Sequence, residues 1–280
     1  MNKMQAIGAG FLTQYSTNSD LKPKLFEWTQ EDSPVKVFID GAIFPGMGYQ
    51  KKSGEKKIAW VCESRAIFHS WNVPIDIWSE HIKTIASNYD ILFVSDKQWL
   101  DKAPNIKYCS AGSNLPWIKN QQIFNKRKMT SMFASNKLVT FGHKIRHSVA
   151  EKFKDKIDLF GGAAGSSRLG ESNSPWPDKS EALNDYMFHI TIENDKYETY
   201  FTEKLTDCFA TGTIPIYWGP STISEYFNKD GIIELTPEFD LNLLTKELYE
   251  SKIEAIKDNF NRVQNLISAD DQLYNLIYEN

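Results

Sequence analysis

"FHITIENDKYETYFTEKLTDCFATGTIPIYWGP", residues 188–220, decides how the chain is read. MFHITIE (187–193) is an apolar run bounded by polar residues, which reads as a buried strand. A polar loop follows, then the helical pattern YFTEKLTDCFA (200–210). Gly212 stands where a glycine closes a helix. TIPIYWG (213–219) is a second buried strand, ended by the turn at Gly219-Pro220. Strand, helix, strand is the unit of a parallel sheet. In such sheets ligands gather beyond the carboxyl ends of the strands, in front of helix N-termini.

Glu193 and Asn194 close the first of these strands, and Tyr200, Thr202, Glu203 and Lys204 lie around the start of the helix. A helix N-terminus offers unpaired N–H groups and partial positive charge, which suit a phosphate. Lys204 is badly placed for the helix dipole alone, and an anionic ligand accounts for it. Glu203 would accept hydrogen bonds from ribose hydroxyls. Helix physics also has a plainer account: Thr202 caps, Glu203 complements the dipole, and Lys204 is a solvated charge.

The same alternation extends outward. Strands are expected at VKVFID (35–40), KIAWVCE (57–63), DILFVSD (90–96), IKYCS (106–110), KLVTF (137–141), KIDLFG (156–161) and GIIEL (231–235). Helices are expected at 77–88, 143–155 and 221–227, and a long amphipathic stretch closes the chain. A length of 280 residues suits two domains of about 130 residues each. The polar stretch KNQQIFNKRKMTS (119–131) is the expected linker, which gives domains at 1–128 and 129–280.

Composition narrows the function. A net charge of −4 argues against broad affinity for nucleic acid or anionic lipid. Three scattered cysteines fit reduced thiols better than a disulfide framework or a zinc site. No secretory signal and no membrane span is read, so a cytoplasmic protein is expected. The five histidines show no metal-binding spacing.

Other candidates sit at strand ends. Arg146, near the start of the helix after KLVTF, offers a bidentate fork for phosphate oxygens, or is a surface arginine. FGGAAGSSRLG (160–170) is not a Walker loop, though its backbone and Arg168 would suit a phosphate. Glu63 ends the strand KIAWVCE and suits a general base, or caps a helix or pairs with Arg65; Asp40 and Asp96, at other strand ends, are the next candidates for the base.

Phe188, Glu193, Asn194, Tyr200, Thr202, Glu203, Lys204, Ile214, Pro215, Ile216 and Gly219 together resemble the donor-binding signature of the α-1,3/4-fucosyltransferases, glycosyltransferase family 10. Arg146 lies where that family has a phosphate-binding arginine, and GGAAGSSR resembles its Gly-rich segment. The likeness covers roughly 131–240, as in a soluble bacterial- or viral-like catalytic core. In the first half the family's Gly-Glu-Asn element, which carries its proposed base, is replaced by Cys62-Glu63-Ser64-Arg65.

The resemblance implies a GT-B enzyme with two Rossmann-like domains facing a cleft and a C-terminal helical segment. It implies an inverting transfer of fucose from GDP-fucose to a glycan hydroxyl, such as one on lipopolysaccharide. Arg146, Arg168, Glu193, Asn194, Tyr200, Glu203 and Lys204 would bind the donor and Glu63 would be the base. No obligatory cofactor or metal is implied, and contact with a lipid-linked acceptor would be peripheral. The alternatives are a non-catalytic nucleotide- or glycan-binding module, or the same chemistry with another nucleotide sugar.

Overall fold

The structure is a computed structural model and describes residues 1–8, 21–70, 75–161 and 179–278. The described strands form two parallel sheets, one in each of two units.

The first unit comprises Met1–Asn114, Glu198–Tyr200 and Ile267–Asn280. Its strands are β1 (Asn2–Ile7), β2 (Phe26–Thr29), β3 (Val35–Ile39), β4 (Lys56–Trp60), β5 (Ile91–Val94) and β6 (Ile106–Tyr108). They lie in the order β2-β1-β3-β4-β5-β6, all parallel. Side chains alternate across a strand, and the two faces bury two different clusters. Val37, Ile39, Ile58 and Trp60 pack with Met4, Phe26 and the helix Ala269–Tyr278. Phe38, Ala59 and Val61 pack with Ile82 and Ile85 of the helix Ile75–Ser87.

The second unit comprises Leu115–Tyr197 and Phe201–Leu266. It holds β7 (Lys128–Phe133), β8 (Asp158–Phe160), β9 (Tyr186–Ile192), β10 (Ile214–Trp218) and β11 (Ile233–Glu234), in the order β11-β10-β9-β7-β8, all parallel. All seven residues of β9 are buried, as expected for a strand covered on both faces. The helix Phe141–Phe153 contributes Ile145, Val149, Ala150 and Phe153 to the cluster around Ile190, Ile192, Ile214 and Ile216. The helix Glu203–Thr211 packs Leu205 and Phe209 with Tyr217 and Phe227. Gly212 closes that helix at φ 72°, the left-handed geometry that glycine tolerates.

Several expectations need correction. KLVTF is no strand: Leu138, Val139 and Phe141 are exposed, and Thr140 caps the following helix. The strand is β7, whose first four residues fall in the polar stretch expected as a linker; Thr130, Ser131 and Met132 are buried despite their polar neighbours. Residues 221–225 form a 3-10 turn. β1 and β2 give no strand signal in the sequence because they are short and mixed in polarity. The unit boundary lies at 114/115 rather than 128/129. The last helix packs in the core of the first unit, through Ala269, Leu273 and Ile277, not in the second.

Candidate active site

In the second unit two helix N-termini meet the carboxyl end of the sheet. The first belongs to the helix Phe141–Phe153. Thr140 Oγ1 accepts from His143 N at 3.1 Å, and His143 Nδ1 accepts from Thr140 N at 3.1 Å. Burial first, then the cations Arg146, Lys137 and Lys204, push the His143 pKa down to about 3. The imidazole is therefore neutral, as an acceptor must be. Gly142 N donates to Asn194 O at 3.3 Å. A Cβ on Gly142 would lie 1.9 Å from Glu193 O, so only glycine lets this helix approach the end of β9.

Arg146 lies one turn further on. It is 7% exposed, which rules out a surface arginine. Its Nε donates to Ile192 O at 2.8 Å and its Nη2 to Asn194 Oδ1 at 2.7 Å. The guanidinium is thus fixed at the last residue of β9 and the first residues of the loop.

The second N-terminus is that of Glu203–Thr211, capped by Thr202. Glu193 lies beneath it and is fully buried. Its Oε1 accepts from Thr202 N at 3.0 Å and its Oε2 from Thr202 Oγ1 at 2.8 Å. Lys204 Nζ is 3.7 Å from Glu193 Oε2 and 3.2 Å from Glu203 Oε1. Burial raises the Glu193 pKa above the usual carboxylate range, and Lys204 opposes that shift. Glu193 therefore sets the helix start from below, and Lys204 is held at that start by two carboxylates.

A further cation, which the sequence did not single out, joins this network. Lys179 Nζ lies 3.3 Å from Glu203 Oε1 and 2.9 Å from Asp207 Oδ2. Burial opposes its charge, but the two carboxylates hold its pKa above the ordinary lysine value. Asp207 Oδ1 also accepts from Trp117 N at 2.6 Å and Ile118 N at 3.1 Å. The one available signal was Asp207, an acid four residues beyond Glu203 on a helix with a buried face.

Tyr200, two residues before the cap Thr202, is 1% exposed and is grouped with the first unit; its neighbour Thr199, at φ 69°, donates from Oγ1 to Ser95 O. Arg168, and most of the Gly-rich segment with it, lies outside the described residues.

In the first unit Glu63 follows β4 and is partly buried. Asp96 at the end of β5 caps the turn 97–99 through Gln98 N at 3.2 Å and lies 3.0 Å from Arg65 Nε, so it is engaged in structure. Asp40 follows β3 and is buried. Among the described residues no group of three His, Cys, Asp or Glu is placed to hold a metal ion.

Residues 123–248 match the model of the glycosyltransferase family 10 (fucosyltransferase) C-terminal domain. Over 110 residues the chain is 30% identical to the alpha-(1,3)-fucosyltransferase FucT of Helicobacter pylori, covering 39% of this chain and 22% of that protein. Over 53 residues it is 36% identical to an alpha-(1,4)-fucosyltransferase of Arabidopsis thaliana, covering 19% of this chain and 13% of that one. The matched segments thus span about a fifth or less of these relatives' lengths. Among solved structures, a crystal structure of an alpha1,3-fucosyltransferase superposes with a TM-score of 0.55 at 16% identity, over 100% of this chain and 90% of that one. TarM superposes with a TM-score of 0.51 at 12% identity, over 87% of this chain and 54% of its own. The fold is α/β, of the GT-B class, with a parallel sheet in each unit.

Proposed function

We propose, from the premise that residues 123–248 belong to glycosyltransferase family 10, that this chain transfers fucose from GDP-fucose to a glycan hydroxyl with inversion. The observation that carries the reading is the pairing of two capped helix N-termini with Arg146 and Lys204 at the carboxyl end of the second sheet. Helix N-termini and fixed cations stabilise the charge that develops on a departing diphosphate. Asn194 and Glu203 would orient the donor, and Glu193 would set the helix start rather than touch the ligand. A crystal structure of an alpha1,3-fucosyltransferase with GDP has the same fold, at a TM-score of 0.52.

Glu63 of the first unit would take the proton of the acceptor hydroxyl as the nucleoside diphosphate leaves from the opposite face of the sugar. A thermal-shift series with GDP, UDP and CMP tests the donor. GDP should raise the melting temperature most, since binding to the folded state stabilises it. A larger shift with UDP would overturn the fucosyl assignment and leave the transferase reading standing.

A further inference from the structure

The carboxyl end of β3 holds a group that the proposed mechanism does not use. Asp40 is 5% exposed and sits at φ 50°, in the left-handed region that Asp and Asn enter more readily than most residues. Its Oδ1 accepts from two successive amides beyond β4, Cys62 N at 2.8 Å and Glu63 N at 3.1 Å. One oxygen thus caps the strand end at Glu63 itself.

We propose that Asp40 is a positioning residue for Glu63, which clamps its backbone from the neighbouring strand end. This rests on the reading of Glu63 as the base. Two carboxylates at adjacent strand ends cannot both ionise cheaply. Burial first, then the neighbouring Glu63 carboxylate, push the Asp40 pKa up to about 8, so near neutral pH the proton resides on Asp40. A protonated carboxyl still accepts both amides through its carbonyl oxygen. Among the described residues, the titratable groups facing Asp40 are Glu63 and the buried Cys62 thiol, whose own pKa burial and Asp40 raise. Asp96, on the far side of β4, is paired with Arg65.

The test uses the full chain, with GDP-fucose as donor and water as acceptor, and follows GDP release. Asp40→Asn mimics the neutral acid and suits the left-handed backbone; Asp40→Gly removes the clamp without straining it. Asp40→Asn, which keeps a carbonyl oxygen for the two amides, should keep kcat within about threefold at pH 7. Asp40→Gly should lower kcat at least about tenfold, with GDP affinity unchanged. Full turnover in Asp40→Gly, or lost turnover in folded Asp40→Asn, overturns the proposal. If Asp40→Gly does not fold, carboxyl-carbon NMR decides: the Asp40 midpoint should fall in Glu63→Gln, and an unmoved midpoint overturns the coupling. Wild-type turnover in Glu63→Gln instead overturns the base assignment, and this inference with it.

Discussion

Arg146 Nη2 donates to Asn194 Oδ1 at 2.7 Å, while its Nε donates to the carbonyl of Ile192 at 2.8 Å. The candidate phosphate-binding cation is therefore also a brace between a helix and the last residue of β9. A binding arginine on a surface would be replaceable without structural cost. This one is buried, and its removal should be felt twice.

Arg146→Ala should weaken GDP binding and lower stability, each by about 1.5–3 kcal/mol, the range for hydrogen bonds to charged groups. Titration calorimetry and urea unfolding measure the two effects separately. A stability loss with unchanged GDP affinity would leave Arg146 a structural brace alone.

Lys204→Ala should also weaken GDP binding, and its stability cost should depend on pH. Without Lys204, the buried Glu193 loses a neighbour that opposes the rise of its pKa. A carboxyl whose folded pKa is raised loses stability as pH climbs from the unfolded value through the folded one. The mutant's deficit relative to wild type should therefore be larger at pH 8 than at pH 5. Chemical denaturation at both values checks the sign.

Glu63→Gln should reduce turnover roughly 100-fold or more while leaving GDP affinity unchanged. Steady-state rates and calorimetry on the same preparation separate the two. Loss of affinity would place Glu63 among the donor contacts.

Acid should destabilise the fold through two histidines. Burial first, with nearby cations, lowers His143 and His189 to about 3. Both are neutral in the folded chain and would gain a proton on unfolding below pH 6.5. Stability present above that pH is lost as pH falls through the window from 6.5 towards 3. Between pH 7 and pH 5 each should contribute about 1–2 kcal/mol of loss. His189→Asn should remove its share, read as a shallower change in urea midpoint between the two pH values.

Legibility followed burial. MFHITIE and TIPIYWG were plain as strands because nearly every residue is apolar and buried on both faces. β7 was hidden because Lys128, Thr130 and Ser131 dilute its apolar signal, and Ser131 is satisfied by hydrogen bonds to Ala182 O and His189 Nδ1. KLVTF misled for the opposite reason: its apolar residues lie exposed before a helix cap. At the site, Glu203 and Lys204 were readable from the local pattern. Lys179 was not, because its partners Glu203 and Asp207 are 24 and 28 residues away. The clamp of Asp40 on Cys62 and Glu63 was equally invisible, since it joins neighbouring strands separated by 22 and 23 residues.

The helix Ala269–Tyr278 gives the chain an unusual order of assembly. During synthesis, N-terminal domains ordinarily fold first. Here the first sheet lacks Ala269, Leu273 and Ile277 from its core until the helix Ala269–Tyr278 has been translated. Buried Leu and Ile side chains are worth about 1.5–3 kcal/mol each, enough to decide whether the first unit closes. The second unit, wholly within residues 115–266, is complete earlier. A ribosome-arrested chain with residues 1–266 outside the exit tunnel should show protease resistance across the second unit and cleavage within the first. Releasing residues 267–280 should then protect both, so the helix Ala269–Tyr278 times the closure of the first unit.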